Sequence, residues 1–314
     1  MEKMNTDVIS NMYIIVNPAS ANKATAREWP AYKKALSDAG FEFEAVMTEY
    51  PGHASELSRQ ALKMGYKTIV SVGGDGTMNE VANGFFEKGS LIDENSRLVV
   101  FSRGTGCDFI KTLGINKGIE DFLAILQRNR ERQIDVGRLS FFDAEGNKSV
   151  RYFLNVADIG IGAETADRVN KHSKRFSGFL SFMLGTISTV FMYENKNFEV
   201  IIDDKIILNE IISSVVVANG KYFGGGMMVA PDAMPDDGVF DIIILGNLSK
   251  PDIIKSFPLI YKGKHMSHPK LKYYRGSRVK VTSSGRGLIE VDGEIPGRAD
   301  AMFELIPKAM KILT

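Results

Sequence analysis

Gly73-Gly74-Asp75-Gly76-Thr77 closes an apolar run and opens a helix-like stretch, with Asn79 and Glu80 close behind. Glycines permit positive φ and close approach of the backbone, so successive N–H groups can point into one concavity. A helix start at the same place adds partial positive charge that favours phosphate. The spacing therefore reads as a phosphate cradle. A carboxylate repels phosphate, so Asp75 has two chemistries open to it: ligating magnesium, or accepting a proton from an attacking hydroxyl. A tight turn whose Asp caps the helix explains the same residues. Neither better-known nucleotide fingerprint fits, because Asn79 stands where a dinucleotide loop has its third Gly or Ala, and no Gly-x4-Gly-Lys-Ser/Thr run occurs.

Arg103-Gly104-Thr105-Gly106-Cys107-Asp108 follows the next apolar run and repeats this logic. If adjacent strands bring the two loops together, Asp75 and Asp108 share a crevice, and two carboxylates beside polyphosphate call for a divalent cation or for one of them to act as base. A helix cap for the stretch after Asp108 is the competing explanation. Farther on, Asp236 and Asp237 offer paired hard oxygens on a turn, which suits magnesium or calcium, or simply a solvated turn before a strand. In Glu290-Val291-Asp292-Gly293-Glu294 strand alternation sends Asp292 and its flanking glutamates to opposite faces, and a turn at Gly293 breaks that register, so either Asp292 or Glu294 is a site candidate. His265 and His268 lack the ligand set of a zinc site. No Gly-x-Ser-x-Gly or His-Glu-x-x-His occurs, and Cys107 reads as a small buried thiol.

Positioning such loops takes a scaffold, and the first hundred residues supply the pattern of one. Short β-branched runs at 13–17, 42–48, 68–73 and 97–102 alternate with helix-length amphipathic stretches, which implies a parallel sheet wrapped by helices, with ligands beyond the carboxyl ends of its strands. The pattern changes near Gln133: strand signals then follow one another with turns between, interrupted by helical inserts at about 163–193 and 251–261. Such runs of strands suggest a mainly antiparallel sandwich. The expected fold class is thus α/β followed by all-β.

A formal charge of +1 on 314 residues with 44% hydrophobic content excludes a disordered chain and a protein that coats polyanions, so nucleic acid is not an expected partner. One cysteine forms no internal disulfide, and the opening MEKMNTDVISN lacks the apolar stretch of a secretion signal; the expected location is cytoplasmic. Gly178 to Tyr193 is uncharged but falls short of the ~20 apolar residues of a bilayer span and carries Ser181, Thr186, Ser188 and Thr189. It reads as a buried or pocket-lining helix, with surface contact to lipid left open.

Taken together, these segments resemble the diacylglycerol kinase catalytic family, especially its soluble bacterial lipid kinases, and are similar to sphingosine kinases. The resemblance rests on IIVNPAS at 14–20, SVGGDGTMNEVANG at 71–84, GTGCDFIKTLGI at 104–115, IDVGR at 134–138, FLNVADIGIGAE at 153–164, VANGKYFGGGMMVAPDAMPDDGVFD at 219–241 and VDGE at 291–294. The Gly-Gly-Asp-Gly-Thr block is shared with NAD kinases and identifies only the superfamily. The resemblance implies a Rossmann-like nucleotide domain at 1–135, a β-sandwich acceptor domain at 136–297, and a tail, 298–314, that returns to the first. It implies transfer of the γ-phosphoryl group of ATP to a hydroxyl of diacylglycerol or a related lipid. Asn17, Ser20, Thr48, the loop Gly73, Gly74, Asp75, Gly76 and Thr77, Glu80 and Thr105 are implied as ATP contacts. Asp75, Asp108 and Glu294 are implied as an acidic catalytic network with Mg2+, with Glu294 or Asp75 as base. Asp236, Asp237 and the Val239 carbonyl are implied as a structural magnesium site. The implied partners are a lipid acceptor, a membrane surface touched peripherally, and a second copy of the chain as a homodimer.

This chain departs from the family in its second loop: Cys107 replaces an Asn, Ile110-Lys111 replace Ala-Arg, and Ser102-Arg103 stand where Pro-Ala or Pro-Leu is common. Losing the amide removes a donor and an acceptor, which bears on nucleotide affinity and acceptor choice. Lys171, Lys174 and Arg175 are placed to meet anionic headgroups. Two other functions remain open: a kinase for a soluble acceptor such as NAD, and a non-catalytic lipid- or nucleotide-binding regulator.

Overall fold

Apolar runs flanked by amphipathic ones fold, in the first part of the chain, as strands and helices in turn. The computed structural model describes residues 11–104, 106–172, 188–285 and 287–314. The chain divides into two compact units: residues up to Ile134 together with Lys308–Thr314, and Asp135–Pro307. Residues 298–307 of the tail thus stay in the second unit, and the first takes up only the last stretch.

In the first unit the order is β1 (Met12–Val16), α1 (Ala24–Asp38), β2 (Phe43–Met47), α2 (His53–Lys63), β3 (Thr68–Gly73), α3 (Asp75–Gly84), a short pair β4 (Phe86–Glu87) and β5 (Ser90–Leu91), β6 (Arg97–Ser102), α4 (Asp108–Leu113) and α5 (Ile119–Arg128). All pairings in its main sheet are parallel: β2 on β1, β1 on β3, β3 on β6. Residues Lys311 and Ile312, from the end of the last strand, add to the β6 edge in parallel. Every residue of β1 and β3 is buried, as a sheet covered on both faces requires. Helix α2 buries Ala54, Leu57, Ser58, Ala61 and Leu62, one stripe at helical spacing. Because β1 leads to β2 on one side and β3 lies on the other, the chain reverses direction across β1, and the loops after β1 and β3 open at that switch point.

The second unit runs β7 (Glu131–Phe142), β8 (Lys148–Phe153), β9 (Val156–Gly160), α6 (Ile161–His172), β10 (Lys196–Ile202), β11 (Lys205–Ile212), β12 (Ser214–Ala218), β13 (Tyr222–Phe223), β14 (Met227–Met228), β15 (Phe240–Leu245), α7 (Lys250–Ile260), β16 (Leu271–Gly276), β17 (Arg278–Ser283), β18 (Leu288–Val291) and β19 (Glu294–Leu313). Helix α7 starts with a capping box in which Ser249 and Asp252 bond each other's backbone. One antiparallel layer has the order β16-β15-β12-β9-β18, and β10 joins β11 and β17 in the other. Strand β19 pairs β18 near its start and β17 farther along, at Ala301–Glu304, so it passes from one layer to the other. Phe153, Ala157, Ile159, Phe198, Val215, Val217, Phe240, Ile289 and Phe303 fill the space between the layers. Val156, Val216 and Ile243 point the opposite way into a smaller cluster with Val229, Ala230 and Ala233. This is the β-sandwich that the run of strand signals suggests.

Of the Gly178–Tyr193 segment, residues 178–187 lie outside the described residues, as do Lys174 and Arg175, and 188–192 are helical. Among the described residues no helix is long and apolar enough to cross a membrane.

Candidate active site

Asn17 directly follows β1 and Thr77 lies in the first turn of α3; the Asn17 amide donates to the Thr77 hydroxyl at 2.9 Å. The Asn17 side-chain oxygen accepts the Ala19 N–H at 2.9 Å, and its backbone N–H donates to Val72 at 2.9 Å. Ser20 donates its hydroxyl to the Asn17 carbonyl at 2.8 Å and lies 2.6 Å from the Thr25 hydroxyl. The two turns at the switch point are therefore fastened to each other. Thr48 follows β2, its N–H donating to the Val16 carbonyl at 2.9 Å.

The second loop docks on the first through backbone. The Arg103 N–H reaches the Gly73 carbonyl at 2.6 Å. A Cβ on Gly104 would lie 2.7 Å from the Gly74 Cα, and one on Gly74 would lie 3.4 Å from the Gly104 Cα. Glycine is required on at least the Gly104 side, since both contacts are backbone. This approach carries Asp75 to the start of α4, where its carboxylate accepts N–H groups from Asp108 at 3.2 Å and Phe109 at 3.5 Å. Helix starts leave such donors without intrahelical partners, and the residue before α4, Cys107, provides no side-chain cap. Asp75 thus serves the helix that carries Asp108. The Asp108 carboxylate is buried, with Lys111 at 3.0 Å.

Arg103 turns away to α1, pairing with Glu28 and stacking over Tyr32 at 5.2 Å. The same Glu28 takes the Tyr32 hydroxyl, and burial followed by that bond pushes the phenol up to about 12. Cys107 is fully buried in the left-handed region at φ 53, and its thiol donates to the Gly104 carbonyl at 2.8 Å. Glu80 accepts the Gly52 N–H at 2.9 Å and the Ala54 N–H at 3.3 Å, capping α2. Thr105 lies outside the described residues.

The chemistry of these residues fits a magnesium nucleotide. The α3 N-terminus and its glycines suit phosphate. Asp75 and Asp108 form the kind of one- or two-carboxylate set that magnesium completes with substrate phosphates. An all-protein cage is absent: among the described residues no three His, Cys, Asp or Glu side chains gather to hold a metal.

In the second unit the residues expected to hold structural magnesium are bonded differently. Asp237 pairs with Arg275 of β16, and its other oxygen takes the Val239 N–H at 3.3 Å. Asp135 of β7, fully buried, accepts the Gly238 N–H at 2.7 Å. A divalent cation held by Asp236, Asp237 and the Val239 carbonyl would take the place of the Arg275 guanidinium on Asp237. Asp241, close by, takes the Tyr273 hydroxyl; burial first, then the charges of Asp237 and Asp232, push its carboxyl up.

Asp292 and Glu294 part company at a hairpin turn. Asp292 is buried, and its carboxylate accepts N–H groups from Leu154, Asn155 and Val156 at 2.9, 3.1 and 3.0 Å. Glu294, after the turn, is exposed. Sequence reasoning passed over Asp158, a carboxylate inside an otherwise apolar strand that takes the Ser214 hydroxyl and the Ala163 N–H, the latter at 2.7 Å. Its signal was the single charge in VADIG. A side chain at Gly162 would strike it, with a Cβ 2.1 Å from its Oδ2.

Residues 11–139 match the family model of the diacylglycerol kinase catalytic domain, and 155–314 match that of the YegS C-terminal NAD kinase beta sandwich-like domain. A Staphylococcus carnosus (strain TM300) protein named diacylglycerol kinase is 27% identical over 301 residues, covering 96% of this chain and 94% of its own length. One of the same name from Staphylococcus aureus (strain JH9) is 27% identical over 290 residues, 92% of this chain and 88% of that one. A solved protein of Bacillus anthracis str. Sterne shares the fold with a TM-score of 0.77 at 20% identity, covering 100% of this chain and 97% of that one. A structure described as a diacylglycerol kinase of the same organism gives 0.74 at 21% identity and 98% coverage of each.

Proposed function

The chain belongs to the diacylglycerol kinase catalytic family, and on that premise we propose that it transfers the γ-phosphoryl group of ATP to a lipid hydroxyl, with diacylglycerol or a close relative as acceptor. The observation that carries this reading is the Gly74–Gly104 contact of two glycine loops at the switch point, which sets Asp75 against the helix bearing Asp108. Phosphoryl transfer is mainly positioning and charge neutralisation, and these loops offer both. Magnesium, when bound with the nucleotide, would be held by Asp75 and Asp108 and would spread the charge of the phosphates. Asn17, Ser20, Thr48, Thr77 and Thr105 are the proposed nucleotide contacts. Of the two acids that the family resemblance implies as base, Glu294 is assigned the acceptor's proton, and Asp75 the magnesium.

The membrane surface is the proposed place of action. Phe191 and Met192, at the described end of the uncharged segment, are 57% and 64% exposed, and Lys171 lies on α6 just before that segment. Incubating the protein with γ-labelled ATP, magnesium and a total lipid extract tests the function. Label in one lipid class is the expected result; tight ATP binding with every lipid fraction unlabelled, or label appearing on NAD instead, defeats it.

A further inference from the structure

Two acids of the second unit that have no part in the scheme above are buried side by side. Asp158 of β9 is 1% exposed and Glu290 of β18 is 5% exposed. They are register partners in antiparallel strands, so their side chains leave the same face. Their neighbours Ala157, Ile159, Ile289 and Val291 point into the sandwich core, which sends both acids to the opposite face. Directly opposed carboxylates do not both ionise readily.

The two are provided for unequally. Asp158 takes the Ala163 N–H and the Ser214 hydroxyl. Glu290 takes the Gly293 N–H with Oε1, while its Oε2 is buried with no hydrogen-bond partner. Gly293 is the second residue of a two-residue hairpin: Val291 pairs with Glu294, and Asp292 and Gly293 have φ of 48° and 94°, the left-handed pair such a turn demands. Asp292 grips this turn through the amides of 154–156, which leaves the Gly293 amide, next to Glu294, for Glu290.

We infer that Glu290 is a positioning residue for Glu294, fixing the central peptide of the turn, Asp292–Gly293, by holding the Gly293 N–H from inside the sheet. The inference rests on the reading that Glu294 takes the acceptor's proton. Burial, then the charges of Asp158, Asp292 and Glu294, hold the Glu290 carboxyl well above the usual carboxylate range; burial also pushes Asp158 up to about 6. On the same side burial, then the charges of Asp158 and Glu164, raise the Tyr193 phenol, and Lys196 lies 3.5 Å from Glu164. Toward Gly293 the Glu290 side chain presents one oxygen as acceptor. Glutamine reproduces that shape and that acceptor.

Full-length Glu290→Gln, Glu290→Ala and Glu294→Gln are compared by steady-state lipid phosphorylation and by amide exchange across the turn. Glu290→Ala is expected to lower kcat by about 10- to 100-fold, the scale of a misplaced catalytic group, with KM for ATP unchanged and faster exchange at the turn. Glu290→Gln restores both kcat and protection. Wild-type kcat and exchange in Glu290→Ala overturn the inference, as does a Glu290→Gln variant no better than the alanine. If Glu294→Gln keeps full kcat, the proton-accepting role of Glu294 falls, and the exchange data still decide whether Glu290 holds the turn.

Discussion

The Asp75 carboxylate holds two amides at the start of α4, so its replacement touches structure and chemistry together. Asparagine keeps one acceptor and removes the charge. Asp75→Asn is expected to cut lipid phosphorylation by about 10²- to 10⁴-fold while costing about 1 kcal/mol or less of stability; kinetics beside urea unfolding separate the two. Glu80 behaves in the reverse way. Its oxygens cap α2, whose own N-cap is Gly52 with no side chain to offer. Glu80→Ala is expected to lose about 1–2 kcal/mol and to leave KM for ATP within about twofold, measured by denaturation and initial rates; a large rise in KM with unchanged stability would restore Glu80 to the nucleotide. Sequence spacing puts Glu80 beside the loop, yet the groups it bonds lie 28 and 26 residues away along the chain. Capping by a distant side chain leaves no local pattern to read.

At the scale of elements, the approach of the two loops depends on the absence of one side chain. A Cβ at Gly104 would press on the Gly74 backbone at 2.7 Å, whereas one at Gly74 meets Gly104 at 3.4 Å, ordinary contact. Gly104→Ala is therefore expected to cost about 1–3 kcal/mol and to weaken ATP binding more than Gly74→Ala, read by calorimetry with a non-hydrolysable nucleotide; equal effects would contradict the packing described. The strands that build this arrangement were legible because β1 and β3 are continuous apolar runs between amphipathic helices. The Asp292–Gly293 turn was legible for its residue types. The direction of each acid was not: Asp237 meets Arg275, and Asp158 meets Ser214, across 38 and 56 residues, pairings that only strand order creates.

For the molecule as a whole, Asp158 makes stability depend on pH in the unusual direction. Its carboxyl is raised from 3.8 to about 6 by burial, so the folded state keeps a proton that the unfolded chain releases earlier. The contribution is intact below the unfolded value and is lost as pH rises through about 6. Between pH 4 and pH 7 the wild type should lose roughly 2 kcal/mol relative to Asp158→Asn, seen in urea unfolding at both pH values; parallel curves would mean that Asp158 is ionised throughout. Family membership supports a lipid kinase, and the acceptor is the part that it leaves unspecified. The most direct measurement is transfer of label from γ-labelled ATP to diacylglycerol in lipid vesicles, by wild type and Glu294→Gln side by side. A labelled phosphate monoester in the organic phase, reduced by about 10²-fold or more in the variant, is the predicted result; no labelled lipid, or equal labelling by both proteins, would contradict it.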